Sequence, residues 1–128
     1  METLIFVLIG SIMFVSLLLF VWFSSRADRR AYQLLRAVLT SEQYHQLVRL
    51  GYIDIPSPTY PQRVYRVPQT PGRVHLIENK RLTTGLCLQP LDPVPDADYV
   101  VIHKLMIEAD EQTYLQKANR IELLTLPE

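Results

Sequence analysis

An uncharged apolar run near the start of the chain constrains the fold more than any other feature. Residues 4–23 are apolar except for one glycine and two serines, and none of them is charged. As an α-helix this run extends about 30 Å, the thickness of the hydrocarbon core of a bilayer. About a hundred residues follow it, enough for one compact domain but not for two. We therefore predict a transmembrane anchor over residues 1–25 and a small soluble domain over residues 26–128.

The flanks of the run favour a retained signal-anchor over a cleaved leader. A secretory leader begins with positive charge, has a shorter apolar stretch and ends in small residues before the cleavage site. This chain begins Met-Glu-Thr, and the bulky pair Trp22-Phe23 stands where small residues are needed. The indole of Trp22 also suits the boundary between lipid tails and headgroups. We expect the anchor to remain in the mature protein.

The charges beside the run predict its orientation. Four arginines follow the run closely, whereas the N-terminal side has only the amino group and Glu2: the four are Arg26, Arg29, Arg30 and Arg36. Positively charged flanks stay in the cytoplasm. We therefore predict a single-pass cell-membrane protein with its N-terminus outside and its domain in the cytoplasm. The same four arginines are predicted to contact anionic lipid headgroups, at about 1 kcal/mol for each residue near the surface.

Helical spacing continues beyond the anchor, and residues 24–50 contain no glycine or proline. An apolar stripe runs along one face: Ala27, Ala31, Leu34, Leu35 and Val38. We predict that this stripe packs on the domain core; the alternative is a helix lying on the anionic leaflet. Thr40 and Gln43 form a capping box that begins a second helix over residues 41–50, and Gly51 ends it.

The pattern becomes typical of β-structure after Gly51. The strand candidates are residues 52–55, 63–67, 73–78 and 81–89, with five prolines between the first and the third. The pair Asn79-Lys80 is predicted to form the turn of a hairpin. One face of the last strand is predicted to be buried: Leu82, Thr84, Leu86 and Leu88. Cys87 falls on the opposite face.

Residues 96–108 are the most ambiguous stretch of the sequence. The β-branched run from Val100 to Ile102 favours a strand, whereas the acids just after Pro95 and the length of the segment favour a helix, which we predict. Asp110 is predicted to cap a further helix that leaves through a left-handed Asn119, and the tail over residues 121–128 forms an edge strand or frays. The elements together predict an α+β domain with a short antiparallel sheet and two to four helices.

The chain has zero net charge, but its two halves carry net charges of opposite sign. Residues 24–81 contain ten Lys or Arg against four Asp or Glu, and residues 82–128 contain three against eight. A domain held at an anionic leaflet is expected to turn its basic half towards the lipid and its acidic half towards the cytoplasm. The single cysteine, Cys87, excludes an internal disulfide.

The residue types that carry chemistry are sparse. The histidines at positions 45, 75 and 103 show no metal-ligand spacing with one another or with the cysteine, and the glycines form no phosphate-binding loop. We therefore expect neither a metal nor a cofactor. Sequence distance does not exclude a catalytic pair of His103 with Cys87 or Asp110, so a small membrane-bound, hydrolase-like enzyme remains an alternative.

A basic stretch interleaved with aromatic residues suggests a third function. Its members are Tyr60, Arg63, Tyr65, Arg66, Arg73, His75, Lys80 and Arg81. This combination can bind nucleic acid or anionic lipid. Membrane tethering, the neutral total charge and the absence of a nucleic-acid-binding motif argue against nucleic acid.

The leading hypothesis is a non-enzymatic, membrane-tethered adaptor or accessory subunit. Its acidic C-terminal half is expected to meet a membrane protein partner through four residues: Glu108, Asp110, Glu111 and Tyr114. We identify no family resemblance from which a function can be transferred.

Overall fold

A single long helix carries the apolar run. The structure is a computed structural model that describes residues 1–88 and 90–122. Helix α1 spans Glu2–Val38. Among the described residues it is the one helix that is long and apolar enough to cross a membrane. The chain divides into two compact units, Met1–Arg30 and the residues from Ala31 onward. Where the membrane anchor ends within α1 stays a prediction.

Helix α2, Ser41–Leu50, begins and ends as its sequence predicts. Thr40 Oγ1 accepts a hydrogen bond from the backbone N–H of Gln43 at 3.2 Å, and Gln43 Oε1 accepts one from the backbone N–H of Thr40 at 3.2 Å. At the other end Gly51 has φ 77°, a left-handed conformation that costs glycine little. Its N–H donates to the carbonyl of Leu47. The capping box and the glycine exit are confirmed.

The domain is built on an antiparallel sheet, which confirms the α+β fold. Its strands are β1 (Tyr52–Pro56), β2 (Arg63–Pro68), β3 (Val74–Glu78), β4 (Arg81–Cys87) and β5 (Asn119–Glu122). Their spatial order follows the chain, from β1 to β5. Strand β5 pairs with β4. The start of the tail therefore adds a strand to the sheet, which is one of the two outcomes predicted for it. The prediction for residues 123–128 lies outside the described residues.

The hairpin between β3 and β4 turns at the predicted pair. Asn79 has φ 51° and Lys80 has φ 64°. Two consecutive positive φ values define a type I′ turn, whose twist matches that of the flanking strands. Glu78 and Arg81 are accordingly paired across the hairpin.

A β-bulge in β4 overturns one predicted inward residue. Leu76 pairs with Thr84 but Ile77 pairs with Leu82, so Thr83 is an extra residue on β4. Its hydroxyl donates to the carbonyl of Leu76 at 3.1 Å. Leu86 is fully buried as predicted, whereas Leu82 is 46% exposed. The prediction for Leu82 is wrong because an extra residue breaks the alternation of faces.

The ambiguous segment is helical. Helix α3 spans Asp96–Ala109 and helix α4 spans Glu111–Lys117. Asp110 caps α4, as predicted, by accepting from the backbone N–H of Thr113 at 3.0 Å. The predicted left-handed exit at Asn119 is wrong: the chain leaves α4 through an extended Ala118, and Asn119 already pairs with Cys87 of β4. Pairing with a strand requires extended backbone at that position.

The core lies where the helices cover the sheet. Helix α2 packs on β1, and α3 packs on β2 and on α4. From α1 only Ala31 and Leu35 are buried, with Val38 packed at the margin. The predicted stripe is therefore narrower than expected, since Ala27 and Leu34 are exposed.

Candidate functional site

The four residues predicted to bind a partner lie near the corner between α3 and α4. Glu108 is near the end of α3, Asp110 joins the two helices, and Glu111 and Tyr114 belong to α4. Glu108 and Asp110 are exposed, while Glu111 is 6% exposed and Tyr114 is fully buried. The structure thus places two of the four at the surface and two in the interior. Partner binding by these residues stays a prediction.

Glu111 is the centre of a buried polar cluster. Its carboxylate accepts hydrogen bonds from the hydroxyl of Ser57 at 2.7 Å, from Arg63 Nη1 at 3.2 Å and from the hydroxyl of Tyr65. Burial alone would raise the pKa of Glu111, but the hydrogen bonds from Tyr65 and Ser57 lower it further than burial raises it. Glu111 is therefore a paired carboxylate at neutral pH.

The cluster joins the basic half of the chain to the acidic half. Arg63, on β2, contacts both Glu111 and Glu78, the latter at 2.7 Å. Burial, reinforced by the carboxylate of Glu111, raises the pKa of Tyr65, so this phenol remains a donor. Every group in the cluster is held by another, which is typical of a structural network that fixes α4 on the sheet.

His103 forms a second buried contact with α4. It is 1% exposed, its Nδ1 lies 2.8 Å from the hydroxyl of Tyr114, and its ring centroid lies 4.3 Å from that of Tyr99. Burial lowers the pKa of His103 to about 4, so the imidazole is neutral at pH 7. Burial likewise raises the pKa of Tyr114. The pair is a hydrogen bond between two neutral groups.

The structure does not assemble either catalytic pair considered from the sequence. The carboxylate of Asp110 is held by Thr113, whose hydroxyl donates to it at 2.7 Å. Cys87 is half-buried at the end of β4. Within the described residues no hydrogen bond joins His103 to Cys87 or to Asp110. In the same part of the chain, no three or more His, Cys, Asp and Glu side chains are grouped to hold a metal ion.

An apolar pocket lies beside His103. Its volume is about 230 Å³, and it is lined by Leu88, Pro90, Leu91, Tyr99, Ile102, His103 and Met106. Sequence reasoning missed this pocket, although part of the signal was present. Tyr99, His103 and Met106 are spaced by four and three residues, which places them on one face of a helix. The opposite wall comes from Leu88, Pro90 and Leu91, whose place beside α3 no local pattern indicates.

Several residues of the basic stretch are buried or make contacts within the domain. Arg66 forms a bidentate ion pair with Asp54, with N···O distances of 2.8 and 3.0 Å. Arg63 belongs to the Glu111 cluster, and Tyr65 is buried. Three basic residues of the stretch remain exposed and make no ion pair with any described residue: Arg73, Lys80 and Arg81.

The four arginines near the anchor are all exposed. The guanidinium of Arg26 stacks over the ring of Trp22, 3.7 Å from its centroid, and that of Arg36 lies 5.0 Å from the centroid of Tyr44. None of the four forms an ion pair with another residue in the described ranges. Their charges remain available to an anionic surface.

Comparison with known proteins yields no match: neither a protein-family model, nor a curated protein, nor a solved structure matches this chain. Its function must therefore be inferred from its own residues and geometry.

We predict that Glu111→Gln destabilises the domain by about 3 kcal/mol, because it replaces the charged acceptor of hydrogen bonds from Ser57, Arg63 and Tyr65 with a neutral amide. Urea unfolding of the full chain in mild detergent, followed by near-ultraviolet circular dichroism, measures the loss. Asp110→Asn is the matched control, since asparagine caps helices as well as aspartate does. Equal effects of the two substitutions would contradict the structural role of Glu111.

We predict that His103 makes the domain less stable in acid. Its pKa is about 4 in the folded chain, against about 6.5 when unfolded. Between these values the unfolded state binds more protons, so stability falls as the pH is lowered from 6.5 to 4, by up to about 3 kcal/mol. His103→Gln removes this loss, measured as the free energy of unfolding at pH 7 and pH 4. The same change at the exposed His45 is the control; an unaltered pH dependence in His103→Gln would refute the prediction.

Proposed function

We propose that this chain is a membrane-tethered, non-enzymatic adaptor or accessory subunit that holds a small interaction domain at the cytoplasmic face of the cell membrane. The observation that carries this proposal is the exposure of helix α1. Every large apolar side chain between Leu4 and Phe23 is between 48 and 73% exposed. A surface of this extent greatly exceeds the apolar patches of soluble monomers. Lipid is the solvent in which such a helix is stable.

The residues that follow the run support the proposed orientation. The exposed arginines Arg26, Arg29 and Arg30 lie directly after it, and Glu2 is the one charged side chain before it. Positive charge on one flank favours retention of that flank in the cytoplasm. The stacking of Arg26 on Trp22 is compatible with a position at the headgroup boundary, where an aromatic ring and a cation are both well solvated.

The state of the polar groups supports binding over catalysis. The interior carboxylate, Glu111, is engaged by three neighbours, and the carboxylate of Asp110 is engaged in capping α4. Neither is free to act as a base at a reacting group. The exposed acidic groups at the corner of α3 and α4 are Asp110, which caps α4, and Glu108, which is paired to Lys104. We propose that this exposed corner is the surface that a membrane protein partner contacts.

Single-cysteine labelling tests the anchor and its orientation. In a Cys87→Ser chain, Thr3→Cys is expected to react with a membrane-impermeant maleimide on intact cells. Gln112→Cys, exposed on α4, is expected to react only after the cells are permeabilised. The opposite pattern would place the domain outside. Extraction of the chain from membranes by alkaline carbonate would refute the anchor itself.

Purification of the full chain from its native membrane in mild detergent, through a C-terminal tag, tests the proposed partner surface. We expect a stoichiometric membrane protein, whose recovery falls several-fold in the double variant Glu108→Lys, Asp110→Asn. This variant alters the charge at the corner while keeping the cap of α4. A variant with the same change in charge at other exposed acids, Glu42→Lys with Asp92→Asn, is the control. Equal recovery from both variants would exclude the corner.

A further inference from the structure

We propose that the pocket beside α3 binds a small uncharged molecule that has an apolar body and a hydrogen-bond-accepting oxygen, and that His103 recognises this oxygen through Nε2–H. The proposal is independent of the proposed adaptor function, since it concerns neither the anchor nor the corner formed by Glu108 and Asp110.

The size of the pocket and its lining define the body of the ligand. A cavity of about 150 Å³ lined by apolar side chains accepts benzene, so a pocket of about 230 Å³ has room for one ring with a small substituent. Among the described residues that line it, all except His103 and Tyr99 are apolar. Pro90 and Leu91 are exposed, so the pocket opens to solvent beside them. An uncharged, largely apolar molecule fits this lining best.

Among the described residues that line the pocket, His103 has a ring nitrogen without a hydrogen-bond partner. The hydroxyl of Tyr99 already donates to the carbonyl of Gly72 and accepts from its N–H. The Nδ1 of His103 is engaged by Tyr114, and its Nε2 has no hydrogen-bond partner among the described residues. His103 lines the pocket, and its Nδ1 faces Tyr114. We assign Nε2, which lies on the opposite edge of the imidazole, to the side that faces the pocket. His103 as a whole is only 1% exposed.

The contact with Tyr114 determines which nitrogen of His103 carries the proton. The hydroxyl of Tyr114 is buried, and His103 Nδ1 is its one hydrogen-bond partner within the described ranges. If Tyr114 accepted a hydrogen bond from Nδ1–H instead, its own O–H would be left without a partner in the interior, at a cost of about 1–3 kcal/mol. Tyr114 therefore donates to Nδ1, which leaves the proton of the neutral ring on Nε2. Tyr114 is a positioning residue, and the pocket presents an N–H donor.

The neutrality of the ring decides between a carbonyl and a carboxylate as the acceptor. Burial holds the pKa of His103 at about 4, so the imidazole supplies no positive charge near neutral pH. The described residues that line the pocket include no Lys or Arg. A carboxylate would lose its hydration there without gaining an ion pair, whereas a carbonyl loses much less. The expected ligand class is thus a small ketone, ester or amide on an apolar frame.

Histidine-labelled NMR of the full chain in mild detergent tests the proposal with two probes of the same shape. Acetophenone has the acceptor oxygen, and α-methylstyrene has a CH₂ group in its place. In the chain labelled with ¹⁵N-histidine, we expect a protonated Nε2 at His103 before any probe is added. We expect acetophenone to shift the His103 signals but not those of His45 and His75. Loss of one hydrogen bond should make α-methylstyrene bind about tenfold more weakly.

Two substitutions on α3 distinguish binding of a probe in the pocket from its dissolution in the detergent. Ile102→Trp fills the pocket and is expected to abolish the shift of His103, whereas Leu105→Trp adds the same bulk on the exposed side of the helix and should not. Tyr114→Phe removes the donor to Nδ1, so the ring proton of His103 can occupy either nitrogen. We expect this change to weaken the binding of acetophenone but not that of α-methylstyrene. A deprotonated Nε2, equal affinity for both probes, or equal shifts of all three histidines in the unsubstituted chain would each overturn the proposal, whether or not the substituted chains fold.

Discussion

The placement of helix α4 depends on one buried carboxylate. Glu111 is stable in the interior because Ser57, Arg63 and Tyr65 donate to it together, and their hydrogen bonds outweigh the cost of removing the charge from water. This cluster joins the first turn of α4 to strand β2 and to the loop after β1. One turn further along, Tyr114 reaches His103 on α3. The same short helix therefore contacts the sheet through Glu111 and orients His103 of the pocket through Tyr114.

The two proposed activities of the domain use different sides of this arrangement. The proposed partner surface lies where α3 ends, at Glu108 and Asp110, and the proposed ligand pocket lies along the preceding turns of the same helix. Burial is what distinguishes them. Glu108 and Asp110 are exposed to solvent, whereas His103 is buried and neutral. A partner and a small ligand can therefore be tested separately, with substitutions that do not overlap.

Residues close together in the sequence account for the elements that were predicted well. The capping box at Thr40, the glycine exit at Gly51 and the Asn79-Lys80 turn each depend on bonds or dihedral angles within a few residues. The errors arose where a distant segment competes with a local preference. Leu82 is exposed because of a bulge in the pairing with β3, and Asn119 is extended because it pairs with β4. Neither pairing has a signal in the residues beside it.

The site shows the same division for a physical reason. Length, apolar character and flanking charge are properties of consecutive residues, so the candidate membrane span and the cluster of arginines can be read directly from the sequence. Whether an acid is solvated or buried depends on donors brought to it by the fold. Asp110 and Glu111 are adjacent acids at the start of one helix, yet one is exposed and the other is enclosed. The partners of Glu111 lie about fifty positions earlier in the chain, and only tertiary packing brings them within hydrogen-bonding distance.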